Sequence, residues 1–299
     1  MLKFFPLSRV WRGTVAAAVT LVAVFGGAAP ASADAPCSRN VDITAVEPLT
    51  YTIDTHGTLV AGLVRIGFWN DGAAPHQAQL FRLNDGVSFA KWQADIHGPN
   101  AEAAIFADGV PTGGANVVAP GGHQYVEDVL QGGTYVVTCF VPGPDGVPHI
   151  FMGMYKSFDV AGVAPSWPEH PGQPVWDSIQ AHDLTFTMPP ALRRGALVRF
   201  DDTDAEDVHE VTFGKLLPGK TVDDAKAWFA ASAATPPVDP GPAPFTFAGG
   251  HGAVVPGAGG WFQVDADAGR YVAFCLVPDE ETGMSHASMG MVVGFTVLA

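Results

Sequence analysis

The chain writes the same unit twice, and this limits its folds more than any other feature. The first copy reads Gly133-Thr-Tyr-Val-Val-Thr-Cys139-Phe-Val-Pro142, then an acidic loop, then His149-Ile-Phe-Met-Gly-Met154 and Phe158-Asp-Val160. The second reads Gly269-Arg-Tyr-Val-Ala-Phe-Cys275-Leu-Val-Pro278, another acidic loop, then His286-Ala-Ser-Met-Gly-Met291 and Phe295-Thr-Val297. From Gly113 to Cys139 the copies align without gaps at an offset of 136, and after the cysteine the offset is 137. Upstream, His76 and Leu83 fall on His209 and Leu216 at an offset of 133. A repeat this long calls for one structural unit built twice.

The spacing predicts a domain over 34–161, a proline-rich linker over 162–175 and a second domain over 176–299, each domain with its own core. Short apolar runs such as Leu63–Phe68, Ala196–Phe200, Tyr135–Phe140, Tyr271–Leu276, Met154–Val160 and Met291–Val297 read as strands. With 35 glycines and 25 prolines the chain has turns to spare, so the expected class is all-β, two tandem β-sandwiches. One short helix per copy is expected, at Val87–Ile96 and Thr221–Ala231. The second has acids in its first turn, which suits the positive end of the helix dipole.

Four matched residues in each copy carry chemistry: His76, Cys139, His149 and Met154, then His209, Cys275, His286 and Met291. Any one of them alone is more often a packing residue, because buried cysteine behaves as a small hydrophobe. Two imidazoles, one thiolate and a thioether together are the ligand set of a type 1 copper site, with the methionine as the weak axial ligand. The set occurs twice although the flanking residues have diverged, which favours metal over packing. Met152 and Met289 also match, but two residues from the axial Met they are expected to face the other way and to pack in the core. His56, His97, His123, His170, His182 and His251 have no counterparts and are expected at the surface or in loops. The acidic residues between Cys and loop His, Asp145 and Asp279-Glu280-Glu281, read as solvated turns or as a patch that orients a cationic partner.

Residues 1–33 read as a secretory signal: Lys3, Arg9 and Arg12 precede an apolar run from Val15 to Ala28, and Ala31-Ser32-Ala33 is a cleavage box. The run is too short to argue for a membrane span. A secreted or cell-envelope protein beginning at Asp34 is expected. Net charge is -15 over the whole chain and more negative without the signal, which disfavours nucleic acid and anionic membrane surfaces. Three cysteines allow at most one disulfide. Cys139 and Cys275 are equivalent interior positions and are not expected to meet, and Cys37 is left either free or paired.

Each copy resembles a cupredoxin, the Greek-key β-sandwich family of blue copper proteins. Asn70-Asp-Gly72-Ala-Ala-Pro-His76 is similar to the family's Asn-x-Gly-…-His segment, while Asp204-Ala-Glu-Asp-Val-His209 lacks that Asn and Gly. The His-x4-Met spacing, with Gly before the Met, resembles the type 1 loop of copper nitrite reductases. The resemblance implies two type 1-like copper sites and electron transfer or copper handling, with a redox protein as partner. Cys139 lies between Thr138 and Phe140 and Cys275 between Phe274 and Leu276, and no His-x-His pair occurs, so the catalytic histidines of multicopper oxidases and nitrite reductases are missing. The main alternative is a metal-free sandwich used for interactions at the cell surface. An enzyme with copper between domains or subunits ranks third.

Overall fold

The computed structural model describes residues 37–164, 177–234 and 239–299. The signal, Asp34, most of the expected linker, His170 and the side chain of Cys37 lie outside the described residues. The first half contains β1 (Cys37–Ser38), β2 (Asn40–Val46), β3 (Thr50–Asp54), β4 (Thr58–Leu59), β5 (Gly62–Asn70), β6 (His76–Leu83), α1 (Phe89–Asp95), α2 (Ala101–Asp108), β7 (Gly109–Val118), β8 (His123–Leu130), β9 (Gly133–Thr138) and β10 (Tyr155–Val160). The second contains β11 (Asp177–His182), β12 (Thr185–Thr187), β13 (Ala191–Arg193), β14 (Leu197–Asp202), β15 (His209–Leu216), α3 (Val222–Ser232), β16 (Phe245–Val254), β17 (Gly259–Gln263), β18 (Gly269–Phe274) and β19 (Val292–Leu298). Strands dominate, as the turn-rich composition predicts, and each half is a two-sheet sandwich.

Strand parity positions the site. In β6, Ala78 and Leu80 join the main core, while Phe81 and Leu83 face the other way and pack with Trp92, Ile96 and Ile105 of the helical segment. In β9 and the residue that follows it, Tyr135, Val137 and Cys139 face the main core and Val136 faces the helices. The second half repeats this: Tyr271, Ala273 and Cys275 face inward and Val272 and Phe274 pack on Ala225 and Phe229 of α3. Alternation along a strand thus carries each cysteine into the sandwich interior.

Two expectations need correction. The first half has two helices, not one. Ala101-Glu-Ala-Ala-Ile-Phe-Ala-Asp is rich in strong helix formers, but the preceding Gly98-Pro99-Asn100 reads as loop punctuation, and Asn100 gives no side-chain cap. The halves also do not have separate cores. The largest apolar cluster runs from Val41 to Val297 through both. The sheets are continuous too, in the orders β10-β9-β6-β7-β16-β15-β18-β19-β13 and β12-β11-β14-β17-β8-β5-β2-β3. At each seam a strand pairs antiparallel with its own repeat counterpart, β7 with β16 and β8 with β17, so a pseudo-twofold axis relates the halves.

Polar side chains of the first half stitch the seam. Gln79 donates to the Ala253 carbonyl at 3.0 Å and accepts from its N–H at 2.6 Å. Asn116 donates to the carbonyls of Val211 and His251, and Gln124 bonds Gly250 N–H and the Gln263 carbonyl. Asp128 meets His251 Nε2 at 2.8 Å and accepts from Gly114 N–H. Glycines on the second half make the room: a Cβ at Gly249 would lie 2.0 Å from Gln124 Oε1, and one at Gly260 would lie 2.2 Å from Asp128 Oδ1. His251, expected at the surface, is fully buried in β16. Its sequence environment has no counterpart because its partner is across the seam.

Both ring nitrogens of His251 face acceptors, Nδ1 the Gly252 carbonyl and Nε2 Asp128. Burial opposes its charge, but Asp128 outweighs this and raises its pKa. Asp128→Ala is expected to cost about 3–5 kcal/mol in urea denaturation at neutral pH, because it strands a buried charge. With the folded pKa above the unfolded value near 6.5, the pair's contribution is complete below that pH and declines as pH rises through the folded value. The gap between wild type and variant should therefore narrow on alkalinisation.

Candidate metal centres

Three lone-pair donors converge inside each sandwich. Cys139 Sγ lies 3.6 Å from His76 Nδ1 and 3.5 Å from His149 Nδ1, and the two nitrogens are 3.2 Å apart. In the second half the corresponding distances are 3.8, 3.5 and 3.2 Å among Cys275, His209 and His286. A point equidistant from each trio lies about 2.0 Å from all three atoms, close to the ~2.0–2.3 Å at which imidazole and thiolate bind a divalent ion. The six residues are buried, and Cys139 and Cys275 are unpaired thiols, as expected. Met154 and Met291 are fully buried in the same core cluster as the cysteines.

The loop that closes each site is a repeated backbone device. Ile150 N–H donates to the Cys139 carbonyl and His149 N–H to that of Val141, and Ala287 and His286 do the same to Cys275 and Val277. His149–Met152 forms a single 3-10 turn that ends at Gly153 with φ of 99°, the left-handed region that glycine enters at little cost. Gly290, with φ of 111°, ends the second loop. Met154 and Met291 N–H then donate to the carbonyls of His149 and His286. The Gly before each Met is therefore the hinge that folds the methionine back toward its histidine. The turn also corrects one expectation: Met152 is 44% exposed, because the segment is helical rather than extended.

Burial governs the protonation of the free ligands. It lowers His76 to about 4, with the neighbouring His149 adding to the effect, and lowers His149 and His286 as well. It raises the Cys139 thiol to about 11 although the N–H groups of Gln77 and Val141 aim at the sulfur. Cys275 is raised well above its ordinary value, with N–H groups of Glu210 and Val277 on its sulfur. At neutral pH the imidazoles of His76, His149 and His286 are ready to ligate while both thiols still hold a proton.

The surroundings of the two trios differ in charge. Asn70 ends β5, accepts from Gly72 N–H, and donates to the Ala74 and Val118 carbonyls, fixing the approach to His76. Asp202 stands in the matching place at the end of β14, accepting from the N–H groups of Asp204 and His209. Gly121 N–H binds the Asn70 carbonyl just as Gly257 N–H binds that of Asp202. The second copy lacks the Asn-x-Gly pattern, so its sequence does not mark Asp202. Gln77 follows the first histidine, and Glu210 follows the second, where it accepts from Thr212 Oγ1 and Leu276 N–H. Burial raises Glu210 to about 7 and Asp202 to about 6. Asp204 accepts from His209 Nε2 at 3.3 Å, whereas His76 Nε2 is buried with no partner and sits against Gly72. Burial opposes ionisation of Asp204, but the N–H groups of Glu206, Asp207 and Asp183 prevail and hold it low. Of the remaining unmatched histidines, His56, His97, His123 and His182 are exposed, as expected.

Loading the first site with Co(II) at pH 7, in a Cys275→Ser chain, is expected to release about one proton, from the Cys139 thiol alone, and adding Cys139→Ser should abolish the release in a pH-stat titration. Affinity of that site should rise by about tenfold per pH unit between roughly pH 7 and 9, where the Cys139 thiol is protonated and His76 and His149 are already neutral.

No family model matches the chain, and no characterised relative matches it in sequence. Among solved structures it is similar to dithionite-reduced auracyanin of Roseiflexus castenholzii, at 22% identity over 41% of this chain and 95% of that one, with a TM-score of 0.27. Auracyanin A of Chloroflexus aurantiacus, a "blue" copper protein, matches at 18% over 40% and 99%, with a TM-score of 0.24. A multicopper oxidase matches at 16% over 87% and 88%, with a TM-score of 0.23. At scores this low none of them bears on what the sites hold. The cupredoxin-like character of the chain rests on its own two sandwiches and on where each His, Cys and Met stands in them.

Proposed function

We propose that this is an exported copper protein with two type 1-like sites, the first formed by His76, Cys139, His149 and Met154 and the second by His209, Cys275, His286 and Met291, and that it carries electrons. The observation that carries this reading is the pair of preformed triangles of two imidazole nitrogens and one sulfur, each sized for a metal ion. Copper suits the set, since thiolate with imidazoles at a trigonal site and a weak thioether is the blue-copper donor combination. Bound there, it would supply one-electron chemistry. The chain's own part is to hold the donors on rigid strands and a hydrogen-bonded loop, and to keep water out. Ligands held this way need little rearrangement when the metal changes charge.

Cu(II) titration is expected to load about two ions per chain with intense visible thiolate-to-copper absorption, and Cys139→Ser or Cys275→Ser should each remove one site and spare the other. A colourless protein with no copper stoichiometry would favour the metal-free interaction module instead. The two sites should also differ in potential. Asp202, Asp204 and Glu210 surround the second with carboxyl groups where the first has Asn70, Gly72 and Gln77, and negative charge favours the more oxidised ion. In spectroelectrochemical titration of the single-site variants, the second site should have the lower midpoint, and Glu210→Gln should raise it. Equal midpoints would show that these groups do not act on the metal.

A further inference from the structure

We propose that the cleft between the two halves is a binding site for a neutral, flat, aromatic small molecule. The cleft has a volume of about 410 Å³, within the ~300–1,000 Å³ typical of small-molecule sites, and it lies at the junction of two units, where such sites concentrate. It is formed where the ligand loops of the two sandwiches face one another across the seam. Neither half alone contains it, which is why the repeat gave no hint of it.

Its shape favours a ring. On one wall the rings of Phe106, Phe81 and Phe140 stand in a row, with centroids 5.7 and 5.9 Å apart. Across from them are Phe247 and Leu276 of the second half. With rings from both halves in one lining, a flat ring bound in the cleft has aromatic partners from each half to pair with. Phe106 comes from α2, the helix with no counterpart among the described residues of the second half, and it is 45% exposed. A large aromatic side chain left this open, at the lip of an apolar concavity, is what a site for an apolar ligand presents.

The polar groups set the remaining chemistry. Gln77, Gln79 and Glu210 are the buried polar members of the lining, and Glu102 lies on α2 at its side. The lining includes no lysine, arginine or histidine. An anion would meet two carboxyl groups and no compensating cation, in a chain of net charge -15, and the largely apolar lining makes a neutral ring a better occupant than a charged one. One hydroxyl or amine edge on the ring would find acceptors in the floor.

The position of the cleft gives such a molecule a particular contact. Phe140 and Leu276, one on each wall, directly follow Cys139 and Cys275 in the chain. A ring bound here lies one residue from both candidate metal centres at once.

The test uses the metal-free full chain, so its outcome does not depend on the copper reading. Isothermal titration calorimetry with 2-naphthol is expected to show saturable binding of one molecule per chain. Naphthalene-2-carboxylate should bind at least tenfold more weakly. Phe106→Ala and Phe247→Ala, one on each wall, should each weaken 2-naphthol binding by about tenfold, the order of one lost aromatic contact, with each variant still melting in one cooperative transition. Non-saturable binding, equal affinity for the carboxylate, or indifference to both variants would overturn the proposal. Exclusion of 2-naphthol from a chain that light scattering shows to be dimeric would overturn it in favour of a second copy covering the cleft.

Discussion

The pairing of β7 with β16 and of β8 with β17 is the constraint on which the rest of the molecule depends. It joins four sheets into two and lets one apolar cluster run through both halves. It also brings the ligand loops face to face and so creates the cleft. The buried Asp128–His251 pair sits on this seam with its remaining hydrogen-bonding capacity largely met by backbone, as a buried ion pair requires if it is not to be a liability.

Within each half the site follows from simpler rules. Alternation along β6 and β9, and along β15 and β18, turns one histidine and one cysteine to the inner face. The 3-10 turn and its left-handed glycine return the second histidine and the methionine. These rules are local and periodic, so the sequence displays them: the four matched positions per copy, the strands on either side and two of the three helices can be read from residue spacing. The roles of Gly153 and Gly290 are visible in the same way, because a glycine kept at a fixed place before the methionine signals a backbone need rather than a side-chain one.

What the sequence hides is non-local. His251 looks like an unmatched surface histidine because its partner, Asp128, is far away in the chain and on the other half. Asp202 is hidden because it replaces Asn70 in space, not in motif, and the loop from it to His209 is one residue longer than that from Asn70 to His76. The helix α2 is masked by the Gly-Pro-Asn before it, and Met152 was placed in the core by assuming extended backbone where the chain turns. The cleft, its two walls and the difference in charge between the sites arise only once the halves meet.

The seam is unequal in a way that matters beyond its strength. The bulky polar groups Asn116 and Gln124 project from the first half, and their repeat counterparts in the second are Gly252 and Gly260. Two first halves brought together would press side chain on side chain. Two second halves would lack the side chains of Asn116 and Gln124, with Gly252 and Gly260 in their places. A duplicated chain risks pairing each unit with its own kind on a neighbouring molecule. Here the mismatch of shapes favours unlike halves, so the joint itself selects the heterotypic pair and discourages like halves of two copies from joining.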